Sequence, residues 1–220
     1  MQVRNILKLF FTFTLGLYLT ACSENNEEPF NEYANWTQRN DSAFFAVLNE
    51  ASTAINEARL RYGNQWEQYT QWRIYTNWRK PAGALLQASD SVPVFVEVQG
   101  KGKICPLYSD SVHVNYLGRL VPTPLHLQGF VFDHSGTSEN EDIIFSPQLC
   151  SPSLFGAGSN IVGFSTAILY MHVGDKWRFY IHPDLAYGEN DLAKIPAHSM
   201  LCFTAELKAI YRSGIRVENW

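Results

Sequence analysis

The sequence predicts an α+β fold in which five antiparallel-compatible strands surround one short helix, with a helical segment in front of them. Two observations carry this. From Val92 onward, apolar residues alternate with polar ones in five separate runs, the period of a half-buried strand. Before residue 63 the apolar residues recur instead at steps of three and four, the period of a helix. Hydrophobic residues make up 46% of the chain and aromatic ones 14%, enough to build a core rather than a disordered chain.

The first residues are a targeting segment rather than fold. Arg4 and Lys8 form a positive start, and Leu9 to Tyr18 is an apolar run too short to span a bilayer as a helix. Leu19-Thr20-Ala21-Cys22 resembles a bacterial lipobox, which implies removal of residues 1–21 and lipidation at Cys22. Residues 22–30 are mostly polar and acidic and are expected to form a flexible tether. Its Ser23-Glu24-Asn25-Asn26-Glu27-Glu28 run is similar to the export signal of surface lipoproteins in Bacteroidetes-type bacteria. A plain solvated spacer would read the same. The expected location is the cell envelope, lipid-anchored at the outer membrane, on its periplasmic or surface face.

Residues 31–85 form the helical N-terminal segment. Phe44, Leu48, Ala51, Ile55, Ala58 and Tyr62 fall on one stripe, with Asp41 or Ser42 as the expected cap and Gly63 as the stop. Asn64 to Lys80 is dense in aromatics and reads as a further helix or an extended arm, broken at Lys80-Pro81-Ala82-Gly83. The stripe needs burial, either on the following domain or in a homodimer through these helices.

The strands follow in order. Val94, Val96 and Val98 alternate in the first, and Val112, Val114 and Tyr116 in the second. Phe130 and Phe132 belong to the third, with Val131 facing the other way. Trp177, Phe179 and Ile181 make the fourth, and Leu201, Phe203, Ala205 and Leu207 the fifth. Phe164 to Met171 has helical spacing at Ala167, Ile168 and Met171, and Val173-Gly174-Asp175 would end it.

Several chemistries are disfavoured by the residues. A net charge of −4, with no basic run after residue 22, argues against a nucleic-acid surface. Without Arg4 and Lys8 the chain holds 15 basic and 21 acidic residues, near −6. The six histidines are His113, His126, His134, His172, His182 and His198. They show no metal-ligand spacing with an acidic partner and read as scattered surface residues. Gly156-Ala157-Gly158 lacks the lysine of a phosphate loop. Three cysteines follow Cys22. If a bridge forms, Cys105 and Cys150, each beside prolines in a loop, are the pair.

What remains is a series in the last half: Tyr116, Phe132-Asp133, Ile161-Val162-Gly163-Phe164, Ala186-Tyr187-Gly188, Ile195-Pro196 and Phe203. It describes an aromatic-walled cavity with few polar groups, no conventional nucleophile and no acid–base pair. Such a cavity suits a reaction that needs shape and dryness, and rotation about an X–Pro bond is one.

The series lies within longer stretches that carry a family resemblance. They are Val112-His113-Val114-Asn115-Tyr116-Leu117-Gly118, Phe132-Asp133-His134-Ser135, Ile161-Val162-Gly163-Phe164, Met171-His172-Val173-Gly174-Asp175-Lys176, Leu185-Ala186-Tyr187-Gly188 and Ile195-Pro196-Ala197-His198-Ser199-Met200-Leu201-Cys202-Phe203. In this order they resemble the FK506-binding-protein type of peptidyl-prolyl cis–trans isomerase over residues 92–211. The resemblance implies a twisted antiparallel sheet wrapped around one short helix, with the pocket between them. It implies walls from Tyr116, Phe132 and Phe203, a floor from Phe164 and an apolar rim at Ile195. It implies a backbone donor at Ile161, a phenolic donor at Tyr187, and Asp133 accepting from Tyr116. No cofactor or metal is implied, and the partners are proline-containing unfolded or partly folded polypeptides.

Three places depart from the family pattern. The floor is most often Trp, and here it is Phe164. The stretch from Gly118 to Phe132 is longer than usual, and so is Ser146 to Asn160, from which Leu154 or Phe155 is a candidate to cover the pocket mouth. The expected function is X–Pro isomerisation. The alternative is a module of the same fold that binds proline segments or a partner with little turnover.

Overall fold

In this computed structural model residues 30–214 are described. The targeting segment, Cys22 and nearly all of the 22–30 tether lie outside them.

Helix α1 (Trp36–Tyr62) runs for 27 residues. It begins well before the expected caps at Asp41 or Ser42. Asn35 occupies the cap position with φ 53°, and no side chain caps the helix there. The added turns are held by distant contacts: Trp36 is buried, and Asn40 is fully buried and accepts a hydrogen bond from the Met200 N–H. At the other end Gly63 stops the helix with φ 56°, a left-handed conformation that favours glycine.

After α1 the chain is neither a second long helix nor a free arm. A 3-10 turn (Gly63–Gln68) leads to strand β1 (Trp72–Thr76). Aromatic contacts fix the turn. Tyr62 stacks on Tyr69 at 3.6 Å, and Trp66 lies between the guanidinium groups of Arg59 and Arg73 at 4.6 and 4.9 Å. The 31–85 segment is therefore helical only as far as its first two-thirds.

The remaining strands are β2 (Ser91–Val98), β3 (Ser111–Arg119), β4 (Val131–His134), β5 (Ser153–Gly156), β6 (Lys176–Ile181) and β7 (Leu201–Tyr211). They form one antiparallel sheet in the order β1-β2-β6-β7-β3-β4, with β5 also pairing β3. Two strands thus exceed the five expected. β1 extends the edge of the sheet, and β5 arises inside the long 146–160 stretch. Phe130 falls just outside β4, where its carbonyl accepts from Leu120 N–H. Edge strand β1 is blunted by Arg73, whose guanidinium donates to the carbonyls of Thr70, Trp72 and Glu67.

Two short helices complete the unit, α2 (Glu141–Ile144) and α3 (Val162–Ile168). α3 starts two residues before the expected Phe164, and tighter turns replace the helix between Leu169 and Met171. The inner face of the sheet wraps α3. Val92, Val94, Val112, Val114, Phe179 and Leu207 there are fully buried together with Ala167 and Ile168. On the other face, Ala51 and Ile55 of α1 pack on Trp72, with Phe95 and Tyr180 beside them, and Ile144 packs on Leu117 and Val131. The α1 stripe is thus largely buried within the chain itself: Phe44, Ala51, Ile55 and Ala58 are all buried. None of the described helices is long and apolar enough to cross a membrane.

Cys105, Cys150 and Cys202 are free thiols. Cys105 and Cys150 do not bridge. The Cys105 thiol donates to Tyr170 O at 3.4 Å, and Cys150 is tied by its N–H to Ser146 O. His182 is not a surface residue. It is buried, with its ring 4.9 Å from that of Phe44.

Two stability predictions follow from this packing. Phe44 is fully buried between α1 and the sheet, so Phe44→Ala should cost about 3–5 kcal/mol. Urea unfolding followed by both fluorescence and far-UV circular dichroism should still show one transition; a helix melting separately would contradict the docking of α1. The second concerns pH. Burial pushes the Tyr75 phenol from 10.0 to about 12. The folded chain then keeps a proton that the unfolded chain releases above pH 10, so this contribution is complete below pH 10 and is lost on the way to pH 12. Between pH 10 and 11 the parent should lose up to about 1.4 kcal/mol more stability than Tyr75→Phe. Parallel losses would contradict that burial.

Candidate functional site

The site is built outward from Gly118. In β3 this residue pairs with Phe203 of β7 on one side and with Asp133 of β4 on the other. A Cβ at Gly118 would stand 2.5 Å from Phe132 Cζ and 2.8 Å from Phe203 Cε1. The missing side chain is what lets the two rings meet edge to face at 5.4 Å.

Phe164 enters from α3 and lies 4.9 Å from Phe203, 6.0 Å from Tyr116 and 5.5 Å from the fully buried Phe179. Its height is set by Gly163, where a Cβ would come within 2.2 Å of Ile181 Cγ2, so α3 seats directly on β6. Phe132, Phe164 and Phe203 are each at most 7% exposed, which leaves Tyr116 as the half-buried wall.

Polar groups are few. Tyr116 Oη donates to Asp133 Oδ2 at 3.0 Å, and Asp133 Oδ1 accepts from the His134 N–H at 2.9 Å. The Tyr116 backbone is fixed in turn by Ser135, whose Oγ accepts from Tyr116 N–H while its own N–H donates to Tyr116 O. Burial, reinforced by the Asp133 charge, pushes the Tyr116 phenol well above its ordinary value. The same two causes, burial first and then the Asp133 charge, raise the Tyr187 phenol. Both phenols therefore stay protonated donors at neutral pH.

Ile161 precedes α3 in an extended conformation. Its carbonyl accepts from Ser165 N–H, and its own N–H has no acceptor among the described residues. Ile195 is buried at the edge of the same apolar cluster, and Tyr187 packs partly against it.

Phe155 completes the enclosure. Its ring lies 5.6 Å from Phe164 and 6.3 Å from Tyr116, whereas Leu154 is 60% exposed. The sequence left both as candidates. The register of β5 on β3 separates them, because Leu154 opposes His113 and Phe155 opposes the inward-facing Val112. Four residues were too few for alternation to show this. Phe179, the ring beneath the floor, was legible only as a strand residue.

Two surface hollows lie away from these rings. One of about 580 Å³ runs between Glu67–Arg73 and Phe95–Gln99, and one of about 410 Å³ lies over Arg178, Tyr180 and Cys202 on the other face of the sheet. Their charged groups are already engaged: Arg73 with backbone carbonyls, Arg178 with Glu97. The meeting of Phe155, Phe164 and Phe203 on the carboxylate-bound phenol of Tyr116 marks the site better than volume does.

Comparison with known proteins agrees in extent with this region. Residues 102–208 match the family model for FKBP-type peptidyl-prolyl cis-trans isomerase. The FKBP-type 22 kDa peptidyl-prolyl cis-trans isomerase of Escherichia coli is 37% identical over 113 residues, covering 51% of this chain and 46% of that protein. FK506-binding protein 2 of Candida glabrata is 33% identical over 135 residues, covering 61% of this chain and 85% of that protein. The first curated relatives are matched over about half of their own length. A crystal structure of a peptidyl-prolyl cis-trans isomerase from Pseudomonas syringae is 25% identical, with a TM-score of 0.44 over 76% of this chain and 95% of that one. With 33% identity to Candida glabrata FK506-binding protein 2 over a match that covers 85% of that protein, the chain belongs to the FKBP-type peptidyl-prolyl cis-trans isomerase family.

Proposed function

We propose that this chain catalyses cis–trans isomerisation of X–Pro bonds in extracytoplasmic polypeptides. The observation that carries the reading is the aromatic enclosure of Tyr116, Phe132, Phe155, Phe164 and Phe203, with one phenol tied to Asp133 and the Ile161 N–H left unpaired at its edge. The names of the relatives support the same activity.

The chemistry fits the residues. Rotation is opposed by about 18–20 kcal/mol of amide resonance. At the twisted geometry the nitrogen lone pair no longer conjugates, so the amide is less dipolar than when planar. A dry aromatic wall therefore disfavours the planar state more. In this reading the proline ring sits on Phe164 between Phe132 and Phe203, with Ile195 at the rim. The Ile161 N–H and the Tyr187 O–H hold flanking carbonyls, favouring the twisted geometry. Asp133 holds Tyr116 in place and contributes its charge to the wall. No bond forms or breaks, so no nucleophile or cofactor is required.

The lipobox-like sequence ending at Cys22 supports tethering of this activity to the cell envelope, at the outer membrane, where its partners would be unfolded or partly folded envelope proteins. Cys22→Ser should then release the protein from the membrane fraction and abolish fatty-acid labelling. A homodimer through α1 would have to use the face opposite its stripe, because the stripe is occupied.

The soluble form, residues 23–220, should accelerate relaxation of a short Leu-Pro peptide. Asp133→Ala and Phe132→Ala should each lower kcat/KM by roughly tenfold or more, within the range that a positioned wall and charge supply. Gly118→Ala should also lower it, by forcing Phe132 and Phe203 apart, at a stability cost of about 1–3 kcal/mol. A parent rate equal to the spontaneous one would sink the enzymatic reading, and retained peptide affinity without acceleration would point instead to a binding module. Acceleration unaffected by either alanine variant would show that the reaction occurs elsewhere on the protein.

A further inference from the structure

Resting on that reading, we propose that the first turns of α1 are part of the prolyl site, with Trp36, Asn40 and Ser199 acting as positioning residues for its lip. These turns lie outside the matched residues 102–208. Neither the pocket series nor the relatives assign them a role.

The lip is the segment from Leu192 to Met200. It contains Ile195, and its backbone is tied to the turn that carries Tyr187, because His198 N–H donates to Gly188 O at 2.7 Å. His198 itself is held at φ 60°, a left-handed conformation uncommon for residues other than glycine, though histidine enters it more readily than most. A segment bent in this way needs external contacts to keep one shape.

α1 supplies them. Trp36 Nε1 donates to Ser199 Oγ at 2.9 Å, and Ser199 Oγ passes the chain on by donating to Pro196 O at 2.6 Å. One residue further along, Met200 N–H donates to Asn40 Oδ1 at 2.8 Å, while Asn40 Nδ2 donates back to Trp36 O at 2.7 Å. Asn40 is fully buried and Trp36 and Ser199 nearly so, which keeps water from competing for these bonds. The Trp36 ring is itself fixed, with Tyr33 edge-on at 4.9 Å and the Arg39 guanidinium at 5.2 Å. Arg39 extends the contact by donating to Pro122 O, pinning the 119–131 stretch to the same turn.

These bonds join residues 160 or more apart in sequence, and they end on the carbonyl next to Ile195. The helix core does not need them: Ala51, Ile55 and Ala58 dock further along. What they fix is the distance of Ile195 and Tyr187 from the floor. Loosening them should weaken the grip on substrate, raising KM while kcat changes little.

The test uses the soluble form with Trp36→Phe, Ser199→Ala, the double variant, and Ser52→Ala as a control on the same helix. Isomerisation of a Leu-Pro peptide and equilibrium binding of that peptide by NMR titration are both measured. Trp36→Phe and Ser199→Ala should each lower kcat/KM roughly five- to twentyfold through KM, the size expected of one buried hydrogen bond. The double variant should be no worse than the worse single, because both changes break one chain, and Ser52→Ala should match the parent. Ser199→Ala removes a single oxygen, so it carries the test if Trp36→Phe does not fold. Folded variants with parental kcat/KM and affinity would overturn the proposal, as would losses that multiply in the double variant. If the parent binds the peptide without accelerating it, the isomerase reading fails, and the affinities alone then support or overturn the positioning role. A parent that neither binds nor accelerates overturns both.

Discussion

A strand position without a side chain organises this molecule. Gly118 sits in β3 between Phe203 and Asp133, and the space its side chain would fill is occupied by two phenyl rings. Those rings meet there at 5.4 Å, and Phe203 in turn lies 4.9 Å from Phe164 of α3. Gly163 plays the matching part on the helix by letting α3 descend onto Ile181. Interiors are packed too tightly for such gaps to be filled by small adjustments. The two glycines therefore fix how closely Phe132, Phe203 and Phe164 approach one another, and the rest of the site is arranged around those rings.

The polar groups follow from the same geometry. In a site this apolar, each hydrogen-bonding group either has a partner within the fold or faces a ligand. Tyr116 has its partner in Asp133, and burial together with that carboxylate keeps its proton in place. Ser135 satisfies the Tyr116 backbone. The Ile161 N–H has no acceptor among the described residues, and it lies where α3 begins, three residues before Phe164. For a reaction that changes only the planarity of an amide, a surplus donor and a dry surface are more useful than any reactive side chain.

The sheet residues could be read from the chain because alternation reports directly which side of a strand is buried. Val112, Val114, Phe179, Phe203 and Leu207 are all buried on the inner face. The α1 stripe was legible for the same reason, and so was its stop at Gly63. Its start was not. Asp41 and Ser42 are good capping residues by local chemistry, yet the helix begins at Trp36 because of bonds to Ser199 and Met200 that no local pattern contains. β1 was hidden by its aromatic density, since Trp72 and Tyr75 have partners on opposite faces of the sheet and no simple alternation survives. The burial of His182 against Phe44 depended likewise on a distant partner. Cys105 and Cys150 were named as the pair should a bridge form, from proline neighbours alone, which say nothing of distance.

The departures from the family pattern are joined in space, although they are scattered in sequence. The long 146–160 stretch forms β5, and β5 brings Phe155 against Phe164 and Tyr116. Phe164 and the 146–160 stretch are therefore one packing unit, with the Phe155 ring beside the Phe164 ring. The 119–131 stretch is braced by reciprocal backbone bonds between Thr123 and His126, and Arg39 of α1 holds Pro122. Arg39 is three residues from Trp36, which holds the opposite lip through Ser199. One end of one helix thus touches both the lengthened loop and the loop carrying Ile195. The N-terminal helix ties together two loops that are far apart in sequence, and its amphipathic stripe, docked further along the sheet, keeps it there.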